Sequence, residues 1–221
     1  MPTTSPHYLK DEPQKVLWSG GSVFSLFYDY DQIRDRKLTS LTAEQKAMWF
    51  CARIDMTFLE PLRRIFKEPY PSEVFNELMD TSSETPRSFS IAIMSVMVNG
   101  VESLGSFLKP KERSNQKRFE AFIKGYMPTW WGQRPGGKPL IKLLWKNFRN
   151  GIAHGFCITP PGSLEFLQSD PFQWDGQLLK VCPTHFFKDL EIGARTYFTD
   201  LKSQKKVLSQ FIERFNSVYP T

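Results

Sequence analysis

Residues 139–155 read PLIKLLWKNFRNGIAHG, and this stretch decides the fold class. Pro139 suits the first turn of a helix, where its missing N–H has no intrahelical partner to lose. On a wheel of about 100° per residue, Ile141, Leu144, Trp145, Phe148 and Ile152 fall on one face. Lys138, Lys142, Lys146 and Arg149 fall together on another, so a cationic ridge lies beside an apolar stripe. Gly155 is a natural C-terminal stop. A helix with one apolar face must bury it against further elements, and the rest of the chain repeats the pattern.

Upstream, Thr42 can cap a helix that opens Ala43-Glu44-Gln45. Ala47, Phe50, Cys51, Ile54, Phe58 and Leu59 then recur at helix spacing, and Pro61 predicts a kink or a fresh start. A long helix is expected from Pro86 to Leu108, with Ile91, Met94, Val98, Val101, Leu104 and Leu108 as its stripe. Gly100 and Gly105 are poor helix formers and suggest close approach by a neighbour. A basic helix is expected over Lys111 to Gly125.

Downstream, Gly155 to Phe166 reads as two short strands around the Pro160-Pro161-Gly162 turn, with a third strand over Gln177 to Val181. Thr184 to Val218 is helical again. The expected architecture is mostly α: a helical bundle with a small β-hairpin inserted before the C-terminal helix. Residues 1–20, rich in Pro, Ser, Thr and Lys, are expected to be a loose lead-in to a single domain over 21–221.

Composition narrows the class. The chain has 221 residues, 40% hydrophobic and 24% charged, which excludes disorder as the main state. Lys and Arg outnumber Asp and Glu by 29 to 23, a net charge of +6 that permits a polyanionic partner without requiring one. Cys51, Cys157 and Cys182 show no disulfide or metal-site spacing, and free thiols fit a reducing compartment. The first residues carry no apolar signal core, and the longest apolar run, near Ile91 to Val98, falls short of the roughly 20 residues a membrane span requires. The expectation is a cytoplasmic protein without a membrane partner.

The chemistry concentrates where the 139–155 helix ends. Asn150 and His154 lie one turn apart, and Arg149 leads that face by one residue. Histidine gives and takes protons near neutrality. Arginine binds phosphate oxygens through a rigid fork of donors, and asparagine can orient the ring or a substrate hydroxyl. These are the parts needed to move a proton beside a phosphodiester without a metal or other cofactor.

Arg149-Asn150-x-x-x-His154 resembles the R-x4–6-H signature of the HEPN superfamily, in the form with a polar residue directly after the Arg. HEPN domains are helical bundles with the signature at the end of a late helix, and several branches add a hairpin or loop and one more helix, as residues 156–218 do in outline. The resemblance covers residues 42–218 in architecture and six residues in motif. It implies a metal-independent endoribonuclease working as a homodimer, with Arg149 and His154 of two protomers in one cleft. His154 would be the general acid/base, Arg149 the phosphate stabiliser and Asn150 an orienting group; the cationic ridge adds Lys142 and Lys146 as the expected substrate-binding residues. Some relatives are non-catalytic or bind nucleotides instead, so a non-catalytic module that binds a nucleotide or a protein partner, such as an antitoxin, stays open as the alternative.

Other signals point to bland roles. Gly132 to Lys138 matches GxxxxGK, but Pro139 stands where a Mg-binding hydroxyl belongs and no strand precedes it. Asp29, Asp31 and Asp35 lack the central Gly and closing Glu of a calcium loop. Trp130-Trp131 reads as core rather than as a base-stacking pair. Glu102 interrupts an otherwise apolar helix; it is able to pair with Arg149, though surface exposure is the simpler account. Lys109, Lys111, Arg113, Lys117, Arg118 and Lys124 form a basic track or an ordinary solvated face.

Overall fold

A computed structural model describes residues 38–67, 87–155, 157–165 and 169–219. The fold is mostly helical with one small three-stranded sheet. Helix α1 (Ala43–Ile54) begins with the expected cap: Gln45 N–H donates to Thr42 Oγ1 at 3.3 Å and Thr42 N–H to Gln45 Oε1 at 3.0 Å. A π-helical turn, Asp55–Leu59, follows, and α2 (Glu60–Lys67) starts afresh with Pro61 in its first turn. Pro61 has no N–H to continue the α ladder, so the chain widens before it.

Helix α3 (Arg87–Leu108) is the centre of the bundle. Met94, Met97, Val98, Val101 and Leu104 are buried, with α4 (Asn115–Tyr126) packed along them. At Gly105 an added Cβ would stand 2.6 Å from the Arg118 carbonyl carbon, so the two helices touch backbone to side chain-free backbone. Over Ser90–Leu108, α3 is apolar enough, at a mean hydropathy of 1.5, to cross a membrane by length and composition, a longer apolar stretch than the sequence reading found. Half of it is buried within the fold, because α4 and the helices of residues 183–218 press on it and Phe50 of α1 packs on its Phe107.

Helix α4 starts four residues later than expected. Ser114 is its N-cap, accepting from Lys117 N–H at 3.4 Å, and Lys109 to Glu112 form a turn instead. The 139–155 helix is not a uniform α-helix. It comprises α5 (Leu140–Leu143), a π-helical segment Leu144–Asn150, and α6 (Gly151–Gly155). Leu140, Leu143 and Asn147 are buried along with the expected stripe, and Lys142 and Lys146 are exposed.

The expected hairpin around Pro160-Pro161 is replaced by a different pairing. Strand β1 (Gly162–Leu164) runs parallel to β3 (Leu179–Val181), and β2 (Phe172–Trp174) pairs antiparallel with β3, giving the order β1-β3-β2. Residues 157–159 cannot form a strand there because they are tied to the helix they leave: Thr159 N–H donates to Asn147 O at 3.0 Å and Cys157 N–H to Gly151 O at 3.5 Å. Nor is 184–218 one helix. Helices α7 (Pro183–Ser203) and α8 (Lys205–Val218) break at the extended Gln204. Leu201 and Val207 are six residues apart, off helix spacing, and Lys202, Lys205 and Lys206 repel one another nearby. The break lets α7 face α3 and α4 while α8 turns onto α1 and α3.

The lead-in 1–20 and the candidate calcium loop lie outside the described residues.

Candidate functional site

Arg149 sits near the end of the π-helical segment. π turns are rare and concentrate where a helix places functional groups. The guanidinium stacks on Trp145, its carbon 4.9 Å from the ring centroid. Its Nε and Nη2 both donate to Glu102 Oε2, at 2.7 and 2.6 Å. Each side chain of this pair is only 15% exposed. Nη1 lies 3.5 Å from Asn150 Oδ1.

Glu102 is therefore a half-buried partner of the motif arginine, not the exposed surface residue that was the simpler expectation. The correction has a physical cause: α3 packs against the π segment, so a carboxylate on that face has to be paired. Arg149 in turn is held by Glu102 and Trp145 and is mostly buried, unlike the lysines of the ridge. Those two lysines are exposed and form no ion pair with another described residue.

The chain beyond the motif doubles back on its own helix. Gly151 allows this, because a Cβ there would meet the Cys157 carbonyl oxygen at 2.7 Å. Gly162 rests on Phe148 and Ile158 in the same way, so the sheet covers the helix end. The backbone of His154 lies in α6, one turn after Asn150, and the helix ends at Gly155 as expected. The His154 side chain lies outside the described ones. The structure thus brings Arg149 and Asn150 together with Glu102 and Trp145, and keeps Lys142 and Lys146 on the outer edge of the same element.

Asn147 escaped the sequence reading. It is completely buried, and neither its Oδ1 nor its Nδ2 has a hydrogen-bond partner among the described residues, although its backbone carbonyl is bonded to Thr159. Leaving a buried amide unpaired costs about 1–3 kcal/mol. An Asn between apolar neighbours on the 100° wheel was the available signal.

A second polar cluster also went unread. Arg63, buried between α2 and α7, donates Nη2 to Asp55 at 2.5 Å, Nε to Glu191 at 2.5 Å and Nη1 to Glu60 at 3.0 Å. Burial raises the Asp55 carboxyl above its usual range despite Arg63. Burial also pushes Glu191 up, but the Arg63 hydrogen bond and charge outweigh it and hold that carboxyl low. Arg63 itself is raised: its acidic partners overcome desolvation, which alone would lower it. The i, i+3 and i, i+4 spacings of Glu60, Arg63 and Arg64 were the local hint. The cluster clamps the first π turn to α7.

The tryptophan pair divides. Trp130 is core, its Nε1–H donating to Asp189 at 2.9 Å, whereas Trp131 is 38% exposed with Lys124 Nζ 5.3 Å from its ring centroid. The GxxxxGK stretch is a turn, with Gly136 at a φ of 57° against the Trp174 ring. No group of three or more His, Cys, Asp or Glu able to hold a metal occurs among the described residues. All three cysteines are free thiols, Cys51 and Cys182 buried and Cys157 exposed. Comparison of the chain with protein-family models, curated proteins and solved structures finds no match.

Proposed function

We propose that this protein is a HEPN-type, metal-independent endoribonuclease that acts as a homodimer. The observation that carries the reading is the held guanidinium of Arg149 beside Asn150, one helical turn before His154, at the end of a π-distorted helix. In metal-free RNA cleavage a ribose 2′-oxygen attacks the adjacent phosphorus and the P–O5′ bond breaks. One proton leaves the attacking hydroxyl and one reaches the departing 5′-oxygen, leaving a 2′,3′-cyclic phosphate and a 5′-hydroxyl. His154 would carry a proton in this exchange. Arg149 would stabilise the charge that builds on the phosphoryl oxygens. Lys142 and Lys146, exposed on the same element, would hold the strand.

One observation favours a second reading, a non-catalytic HEPN-like module that binds a nucleotide or a protein partner. The charge of Arg149 is already matched by Glu102, as a structural arginine's would be.

The test uses the full chain and mixed RNA in excess EDTA. Cleavage should persist, and His154→Ala should lower its rate by about 10²–10⁴ with the fold retained. Light scattering at micromolar concentration should give twice the chain mass, since a composite cleft needs two protomers. Strict dependence on added Mg²⁺, or a monomer with full activity, would overturn the proposal. A dimer that binds a nucleotide without cleaving RNA would establish the second reading.

A further inference from the structure

We infer that Glu102 is a positioning residue for Arg149, turning one guanidinium edge toward RNA phosphate and removing Arg149 from ground-state attraction. The inference rests on the reading of Arg149 as the group that meets an RNA phosphate. It starts from how the guanidinium is held. A planar guanidinium has a face and two usable edges. Trp145 covers the face at 4.9 Å. Glu102 Oε2 takes the Nε/Nη2 edge with bonds of 2.7 and 2.6 Å. Face and edge together fix both the plane and its rotation. What remains is the Nη1/Nη2 edge, whose hydrogen-bond partner among the described residues, apart from Glu102 on Nη2, is Asn150 Oδ1 at 3.5 Å. That edge is the fork that grips two phosphoryl oxygens at once.

The pairing also divides labour among the cations. A half-buried ion pair carries no net charge, so Arg149 adds little to the long-range pull on a polyanion. That pull falls to Lys142 and Lys146, which are exposed. An arginine that contributes little to ground-state binding is free to act on the transition state, which is what raises kcat rather than lowering KM. Glu102 reaches this site from α3, an element with no other part in the motif.

The experiment compares the wild-type chain, Glu102→Gln and the double variant Glu102→Gln/Arg149→Ala. The first readout is steady-state cleavage of RNA. Glu102→Gln should lower kcat by about 10- to 100-fold through misplacement of the guanidinium, with KM unchanged or lower. The second readout is binding of a short single strand with 2′-deoxy sugars, which lacks the attacking hydroxyl and so reports binding alone. Its salt dependence should steepen by about 0.7 in Glu102→Gln, the increment for one freed cation on a single strand. The double variant should show no such steepening, because the cation it would free is gone. Melting curves establish that each variant is folded. An intact kcat in Glu102→Gln, a raised KM, or steepening that survives in the double variant overturns the positioning role while leaving the ribonuclease reading in place. Wild-type protein that neither cleaves RNA nor binds the strand overturns both, and the wild-type measurement alone reveals it.

Discussion

Replacing Gly105 by Ala places a methyl group where α3 meets the backbone of α4. The new Cβ would lie 2.6 Å from the Arg118 carbonyl carbon and closer still to its oxygen. An unstrained carbon–carbon contact is about 3.5–4.0 Å, so the helices must separate by roughly 1 Å. Separation loosens Phe119, Phe122, Val101 and Leu104, all buried at this contact. Overpacking of this kind costs about 1–3 kcal/mol, and the upper end applies where the obstacle is backbone and cannot rotate aside. Ala is the better helix former by about 1 kcal/mol, which offsets part of that. The net expectation is a loss of about 2 kcal/mol, or roughly 4–8 °C in Tm for a chain of this size. Gly125→Ala is the internal control. It lies in the last turn of α4 with nothing within 4 Å of the added Cβ, so only the propensity term acts and Tm should rise by roughly 2–4 °C. Both variants are measured by thermal melts under one buffer. Equal shifts, or a stabilised Gly105→Ala, would refute the close crossing of α3 and α4.

Three further expectations concern the polar groups and the site. Arg63→Met leaves Asp55 and Glu191 buried without their cation and should cost about 3–5 kcal/mol by chemical denaturation; a loss under 1 kcal/mol would mean the cluster is hydrated. Glu191 has a depressed folded pKa, so its stabilisation is present above the unfolded value of about 4.3 and is lost as pH falls through the folded one. The stability gap between wild type and Glu191→Gln should therefore narrow as pH drops below about 4.3, and a gap that is constant from neutral to acid pH contradicts that sign. Trp145→Ala removes a ring packed on Phe119 at a centroid distance of 5.5 Å and beneath Arg149, and should lower stability by about 3–5 kcal/mol. His154→Ala, tested for activity above, should leave Tm within about 1 °C in the same melts; an equal loss in the two would make His154 structural.

Much of the helical framework was legible in the chain. The stripe Ile141, Leu144, Trp145, Phe148 and Ile152 is local information: each residue's neighbours three and four positions away decide which face is apolar, and burial follows. The same holds for the Thr42 cap, the restart at Pro61 and the tight approach at Gly105, where one residue's chemistry dictates the backbone around it. The Arg149-Asn150-x-x-x-His154 motif was likewise readable, since its spacing lies within one element. What escaped depends on elements meeting. Glu102 and Arg149 are separated by 47 positions and Arg63 and Glu191 by 128, so their pairing follows from helix crossing and register. The parallel pairing of β1 with β3 arises because residues 157–159 spend their donors on the preceding helix. The π turn over Leu144–Asn150 is decided the same way: a 100° wheel assumes a uniform helix, and packing against α3 and the returning chain widens it. Periodicity in the sequence determines which residues turn inward. Which charges then face one another is determined only by how the packed helices cross, because an ion pair must be matched wherever burial strips its water away.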